Sequence, residues 1–318
     1  MSNTFTLDEL NALTETYVLG QPNDIYFASH PLFEKLKGKV RTVPGGLYID
    51  VPLEHGEANS GRYGNTTEIP GTKTETHNKA QFEWGGYFAA QTVDLDDRVK
   101  NNGEAAIINL VAAKFGNMQK TIRKKMSAGV YLDEVTGISD PGFSGLAAIF
   151  NTGTSVAYGG ITEANVSIWK ANSSATATVA TYQGFQAIRL PAIVDTNMEG
   201  MPDLYVTTQT ILDGFDNSLG TKVRYSDQKL VDSGFNNIKF GGAPVVADLG
   251  QAAGYVDALN TRYLQLVAHT DFNFTTPKWE VLSQNRPDIW TANIRFIGQL
   301  TCSHRKAHSR FTNVSAPV

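Results

Sequence analysis

The sequence predicts an α+β fold: a long amphipathic helix against a sheet, a projecting hairpin before it, and a mixed α/β domain inserted before the chain returns to the sheet. Three observations carry this. Residues 101–128 hold an apolar stripe at helical spacing. Residues 47–81 run out and back as two strand-like segments around a long polar tip, and after Gly254 the chain reverts to extended patterns.

The totals are those of an ordinary globular protein. The chain has 318 residues, 41% hydrophobic and 18% charged, with 29 glycines, which is enough for one large or two medium domains. A formal net charge of −4 argues against a dedicated nucleic-acid-binding domain, which would be basic. The single cysteine, Cys302, excludes an intrachain disulfide and a cysteine-rich zinc site, and reads as a small buried hydrophobe. The first residues, Met1-Ser2-Asn3-Thr4, are polar and lack a basic region followed by an apolar run, so no secretory leader is expected. No stretch approaches the length of apolar sequence that spans a bilayer.

Each element has its own signal. Residues 1–20 suit a short helix with Thr6 as N-cap and Leu10 and Leu13 as a weak apolar face. From Gly20 to Gly38, Pro22 and Pro31 interrupt any long element, and the isolated hydrophobes Tyr26, Phe27, Leu32, Phe33 and Leu36 suggest an extended arm seeking a surface elsewhere. After the turn Val43-Pro44-Gly45-Gly46, Leu47, Ile49, Val51 and Leu53 alternate at period two as a strand. A polar run with Gly56, Gly61, Gly64 and Gly71 follows, then a second extended run, 81–90, placing Phe82, Trp84 and Phe88 on one face. A two-stranded hairpin is marginal by itself, so this segment is either held by something else or is a surface loop.

Asn101-Asn102-Gly103-Glu104 resembles a capping box, and Ile107, Ile108, Val111, Phe115, Met118, Ile122 and Met126 form the helical stripe. Lys114 and Lys125 sit at its edge, Gly116 interrupts it, and Lys120, Arg123 and Lys124 form a basic face read as solvated. Beyond Asp140-Pro141-Gly142 the texture becomes mixed. Helical candidates at 164–170 and 206–215 and strand-like Ile238–Phe240 and Val245-Val246 alternate with Gly-rich turns. Tyr263 to Val267 and Ile289 to Leu300 then read as strands completing the first domain.

Chemistry is sparse. His304 and His308 have metal-ligand spacing for a helix, but they sit beside Arg305, Lys306 and Arg310 and read as a solvated basic terminus. Asp94-Leu95-Asp96-Asp97 lacks the glycine and distal glutamate of a calcium loop. No phosphate-binding glycine loop, dinucleotide fingerprint or nucleophile elbow occurs. No cofactor, metal or catalytic group is expected.

The order of these segments resembles the major capsid proteins of tailed bacteriophages over nearly the whole chain. Residues 87–93 with 102–107 look like that family's approach to its long spine helix, and Tyr131-Leu132-Asp133 like the exit from it. Phe143-Ser144-Gly145-Leu146 resembles the start of the axial domain, residues 240–248 the strand leaving it, and residues 259–264 the return. Residues 298–308 resemble the closing strand and basic tail.

The resemblance implies an N-terminal arm at 1–42, an extended hairpin (E-loop) at 43–90, and a peripheral domain with the spine helix at 91–140. It also implies an axial domain at 141–256 and peripheral return strands at 257–318. It further implies a non-enzymatic shell subunit, forming pentamers and hexamers of a virion capsid assembled in host cytoplasm. Such a shell encloses double-stranded DNA without sequence-specific binding and needs no membrane. Implied partners are a portal protein, a decoration protein, and a separate scaffolding protein, because residues 1–42 leave no room for a scaffolding extension. Candidate assembly contacts are Tyr26, Phe27, Phe33, Leu47, Ile49, Val51, Arg62, Tyr63, Lys73, Phe82 and Trp84. Lys73 and Lys79 lack a matching glutamate and asparagine set, so subunits cross-linked through lysine are not expected. The alternatives are an encapsulin-like compartment shell and a soluble enzyme using His304 and His308.

Overall fold

A computed structural model describes residues 30–64, 68–94, 104–135, 141–153, 155–196, 199–219, 237–274, 278–283 and 286–317. At 104–113, 237, 283, 286 and 287 only the backbone is described. The reading of residues 1–29, with Tyr26 and Phe27, and the cap at 101–103 lie outside these residues.

The first layer is a five-stranded sheet. Its central strand is β15 (Arg286–Cys302), flanked on one side by β13 (Leu264–Asn273) and β14 (Glu280–Ser283) and on the other by β4 (Gly85–Val93). The short β1 (Arg41–Val43) adds in parallel to β13. Against β4 and β15 lies the long helix, numbered α2 (Glu104–Gly129) because a short α1 precedes it. Its 26 residues make a strut of about 39 Å. Met118, Ile122 and Met126 are buried along its inner face and Val130 continues that line, as the stripe requires. Lys114 leaves the stripe to donate to the Thr92 carbonyl. Arg123, read as solvated, is buried.

Residues 31–37 correct the extended-arm reading. They form α1 (Pro31–Lys37), whose Leu32, Phe33 and Leu36 are buried in the chain's own core. Pro31 occupies the first helical turn, where its missing N–H costs nothing. The residue taken for a breaker is a starter.

The second layer is a six-stranded sheet ordered β10 (Asn237–Phe240), β11 (Ala243–Ala247), β9 (Leu204–Thr207), β12 (Val256–Leu259), β16 (Ser309–Phe311), β7 (Asn172–Ser174). Its central strands are buried on both faces. Leu204, Val206, Val246 and Leu259 enter the core that holds α2, whereas Tyr205, Val245, Val256 and Ala258 enter a second core. That second core is closed by α4 (Tyr182–Val194) and α5 (Gln209–Leu219), which supply Phe185, Ile188, Ile211, Leu212 and Phe215. A one-turn α3 (Leu146–Ile149) lies in the first core.

Here too the structure departs from expectation. The candidate helix at 164–170 is a short 3-10 turn, Ser167–Trp169, and Val206 belongs to a strand that ends before α5 begins. Strand β16 pairs with β12 and β7, and β17 (Val314–Ser315) pairs with β8 (Thr178–Val179). Strand β16 therefore joins the second sheet, while β17 and β8 form a separate two-stranded pair, so residues after 257 supply strands to more than one sheet. Three-residue strands carry too little alternation to reveal which sheet they join.

Candidate assembly surface

The hairpin is two antiparallel strands, β2 (Ile49–Glu54) and β3 (His77–Phe82), in register from Ile49 opposite Phe82 to Glu54 opposite His77. The alternation read from the sequence is present, with Ile49 and Leu53 inward and Asp50, Pro52 and Glu54 outward. On the outer face Asp50 accepts from Gln81 Nε2 (3.0 Å) and Lys79 Nζ (3.1 Å). Those hydrogen bonds, with the lysine charge behind them, hold its carboxyl below the usual range. Beyond the strands, the His55 and Gly56 amides share the Thr76 carbonyl, and Asn59 Nδ2 donates to Thr72. Past these contacts the tip presents Tyr63 and Ile69, 79% and 77% exposed.

The root is built otherwise. Phe82 is buried and meets Tyr158 edge-on at 5.1 Å, and Ile49, Leu53 and Ala80 join the same core. Trp84 donates from Nε1 to the Gly46 carbonyl (2.8 Å) and packs on His269. The run 81–90, expected to carry Phe82, Trp84 and Phe88 on one face, is interrupted at Glu83-Trp84, so Phe82 turns inward while Phe88 stays 73% exposed on β4. A buried amide locks this junction. Gln299 Oε1 accepts from the Ser144 and Leu300 amides, and its Nε2 donates to the Glu83 and Gly142 carbonyls. Tyr87 donates to Glu134 and accepts from the Phe143 amide, tying β4 to the turn that leaves the spine helix.

The candidate contacts divide accordingly. Phe33, Ile49 and Phe82 are buried within the chain's own core, so they are not surfaces awaiting a neighbour. Val51 is half-buried against that core, and Trp84 is held by Gly46 and His269. Leu47 (82% exposed) and Tyr63, with Arg62 and Lys73, are exposed. Sequence reasoning missed Ile69, although a lone isoleucine in a polar, Gly-rich tract was the available signal.

The C-terminal basic cluster is not solvated. Arg305 is 1% exposed and donates to three carbonyls, of Ile149 (2.9 Å), Trp169 (2.9 Å) and Asn151 (2.6 Å). Arg310 is buried and grips Asp257 through Nε (2.6 Å) and Nη2 (2.7 Å). His308 is fully buried, with Nδ1 accepting from the Asn260 amide (3.0 Å), and burial pushes its imidazole down to about 3. These side chains are structural ties. Positive charge misled the reading because the guanidinium groups of Arg305 and Arg310 are satisfied by carbonyls and a carboxylate inside the fold. Among the described residues no group of three or more His, Cys, Asp or Glu is arranged to hold a metal ion. No helix among them is long and apolar enough to cross a membrane.

Searches against family models and curated proteins return no match to this chain. Solved structures do match. The capsid subunit of cyanophage A-1(L) aligns with a TM-score of 0.72 at 16% identity, over 93% of this chain and 95% of that one. The encapsulin of the SrpI complex from Synechococcus elongatus aligns at 0.56 and 9% identity, over 96% of each chain. A protein of Mycobacterium phage Patience aligns at 0.55 and 9% identity, over 99% of this chain and 90% of that one. With its five-stranded sheet, spine helix, hairpin and inserted second sheet, the chain has the fold of tailed-phage major capsid proteins.

Proposed function

We propose that this protein is the structural subunit of an icosahedral phage head, assembling into pentamers and hexamers around double-stranded DNA. The observation that carries this reading is the hairpin, rooted in the subunit's own core while its tip exposes Tyr63 and Ile69. Leu47 lies exposed where the chain enters β2. A tip whose Tyr63 and Ile69 stand exposed gains order by lying across another copy. Each subunit would touch several neighbours at once, so modest contacts add up to a persistent shell. Head-to-tail contacts close into rings, as pentamers and hexamers require. A net charge of −4 suits a wall past which packaged DNA slides, since strong phosphate contacts would pin it. Leu47, Arg62, Tyr63 and Lys73 are the contacts we assign to neighbouring copies, with Ile69 added. A portal, a separate scaffolding protein and a decoration protein complete the proposed set of partners, with assembly in the host cytoplasm.

The encapsulin likeness supports a second reading, a compartment enclosing protein cargo. The better superposition on a phage capsid subunit favours the first. Electron microscopy of particles purified from infected cells, with analysis of nuclease-protected contents, decides between them. Closed shells holding DNA support the head; shells holding an enzyme support the compartment; a dispersed monomer sinks both.

A further inference from the structure

Burial along β3 begins abruptly toward its root. His77, Asn78 and Lys79 are exposed, whereas Ala80 is fully buried and Phe82 nearly so. What covers them is a tight ribbon, β5 (Ala157–Tyr158) and β6 (Ile161–Thr162), joined by Gly159-Gly160. The two glycines have φ of +60° and +75°, the left-handed pair that a two-residue hairpin turn of this kind needs. The Gly159 carbonyl accepts the Gln81 amide at 2.8 Å, from the edge of β3 that faces away from β2.

The two glycines differ in surroundings. A methyl on Gly159 would lie 2.8 Å from Ala80 Cβ and 3.0 Å from Phe82 Cζ, whereas one on Gly160 would meet nothing within 4 Å. Ala80 Cβ is fixed to the strand backbone, so relieving the first clash moves β3 itself. The ribbon cannot yield easily. The Tyr158 carbonyl accepts from Trp169 Nε1 (3.0 Å), and the buried Arg305 guanidinium stacks 5.1 Å above the Tyr158 ring.

We infer that the Gly159 turn is the seat that sets the angle at which the hairpin leaves the subunit, making Gly159 a positioning residue for shell assembly. This rests on the assembly reading above. A small displacement at Ala80 is magnified along the paired strands, and a misdirected tip misses its target on the next copy.

The test compares three variants of the full chain. Gly160→Ala imposes left-handed strain without touching the hairpin, Gly159→Ala imposes the same strain and the clash, and Gly159→Ala with Ala80→Gly removes the methyl that is struck. Expected are closed shells at wild-type yield from Gly160→Ala, a loss on the order of tenfold or more from Gly159→Ala given the many contacts per subunit, and recovery in the double variant. In dissociated subunits, Gln81 amide exchange should rise about tenfold for Gly159→Ala alone, as its bond to Gly159 loosens. Wild-type shell yield and Gln81 protection in Gly159→Ala would overturn the proposal. So would equal failure of both glycine variants, or no rescue by Ala80→Gly. If the wild-type chain forms no shells, the assembly reading falls, while the exchange data still decide whether Gly159 seats the hairpin.

Discussion

Removing one half of the buried Arg310–Asp257 pair has a calculable cost. In Arg310→Met the side chain keeps its bulk under Phe150 and Tyr255, whose rings now carry the guanidinium at 4.5 and 5.3 Å. Asp257 is left with no solvent exposure and only the Gln251 Nε2 donor (2.8 Å) from the present network. Stranding a buried charge in this way costs about 3–5 kcal/mol. Taking about 2.1 cal/mol/K of unfolding entropy per residue over 318 residues, each kcal/mol moves Tm by about 1.5 °C when the chain unfolds as one unit. The expected fall is thus about 4–8 °C. Pairing Arg310→Met with Asp257→Leu replaces both charges by apolar groups and should restore most of the loss, since well-packed hydrophobes substitute for buried pairs at little cost. Urea unfolding of dissociated subunits, followed by tryptophan fluorescence, measures both. A single variant losing less than about 1 kcal/mol, or a double variant no better than the single, would refute the assignment of Asp257 as a charge that depends on Arg310.

Three further outcomes are expected. His308 stays neutral in the fold, with its imidazole pushed down to about 3 by burial, while the unfolded chain takes up the proton below its ordinary value of 6.5. Its contribution to stability is complete above that pH and falls as the pH drops toward 3, by up to about 1.4 kcal/mol per unit. His308→Gln should flatten the stability–pH profile between pH 6 and 4.5, and an unchanged slope would contradict the burial. The Cys302 thiol is buried and pushed up to about 12, so a thiol reagent at pH 8 should modify it only after denaturation. Leu47→Ser and Tyr63→Ser remove exposed side chains, so subunit stability should change by no more than about 0.5 kcal/mol while shell yield on electron microscopy falls; loss of subunit stability instead would place these residues in the core.

What could be read from the sequence was periodic and local. The stripe Phe115, Met118, Ile122, Met126 lies where helical spacing put it, and the alternation of Ile49, Val51 and Leu53 matches β2. The strand-like runs Ile238–Phe240 and Val245-Val246 were legible, and the structure joins them as a hairpin through Gly241-Gly242 in the left-handed region. What could not be read was long-range. The six-stranded sheet gathers strands from residue 172 to residue 311, and three of its pairings are parallel or join distant segments too short to carry a signal. Helix α4 carries Gly184 and Pro191, residues that ordinarily interrupt a helix, and was not among the helical candidates. In the fold Gly184 donates its amide to the Thr181 cap, and the backbone near it leaves no room for a Cβ. The interface reading failed where hydrophobes were judged without their partners. Phe33 and Phe82 looked unpartnered along the chain and are packed in space, whereas Ile69 passed unnoticed and is exposed.

The corrected division of the hairpin narrows the central claim to its tip. Residues 49–54 and 77–82 are paired and rooted in the subunit, so they should resist amide exchange in any state. The tip, residues 55–76, exposes Tyr63 and Ile69 and should owe its order to other copies. Hydrogen exchange read by mass spectrometry, on dissociated subunits and on assembled particles at the same pH, measures this directly. Peptides from 55–76 should exchange freely in the subunit and become protected in the particle. Equal protection in both states would mean that the tip is stabilised at home, and the case for a shell subunit built on this hairpin would fail.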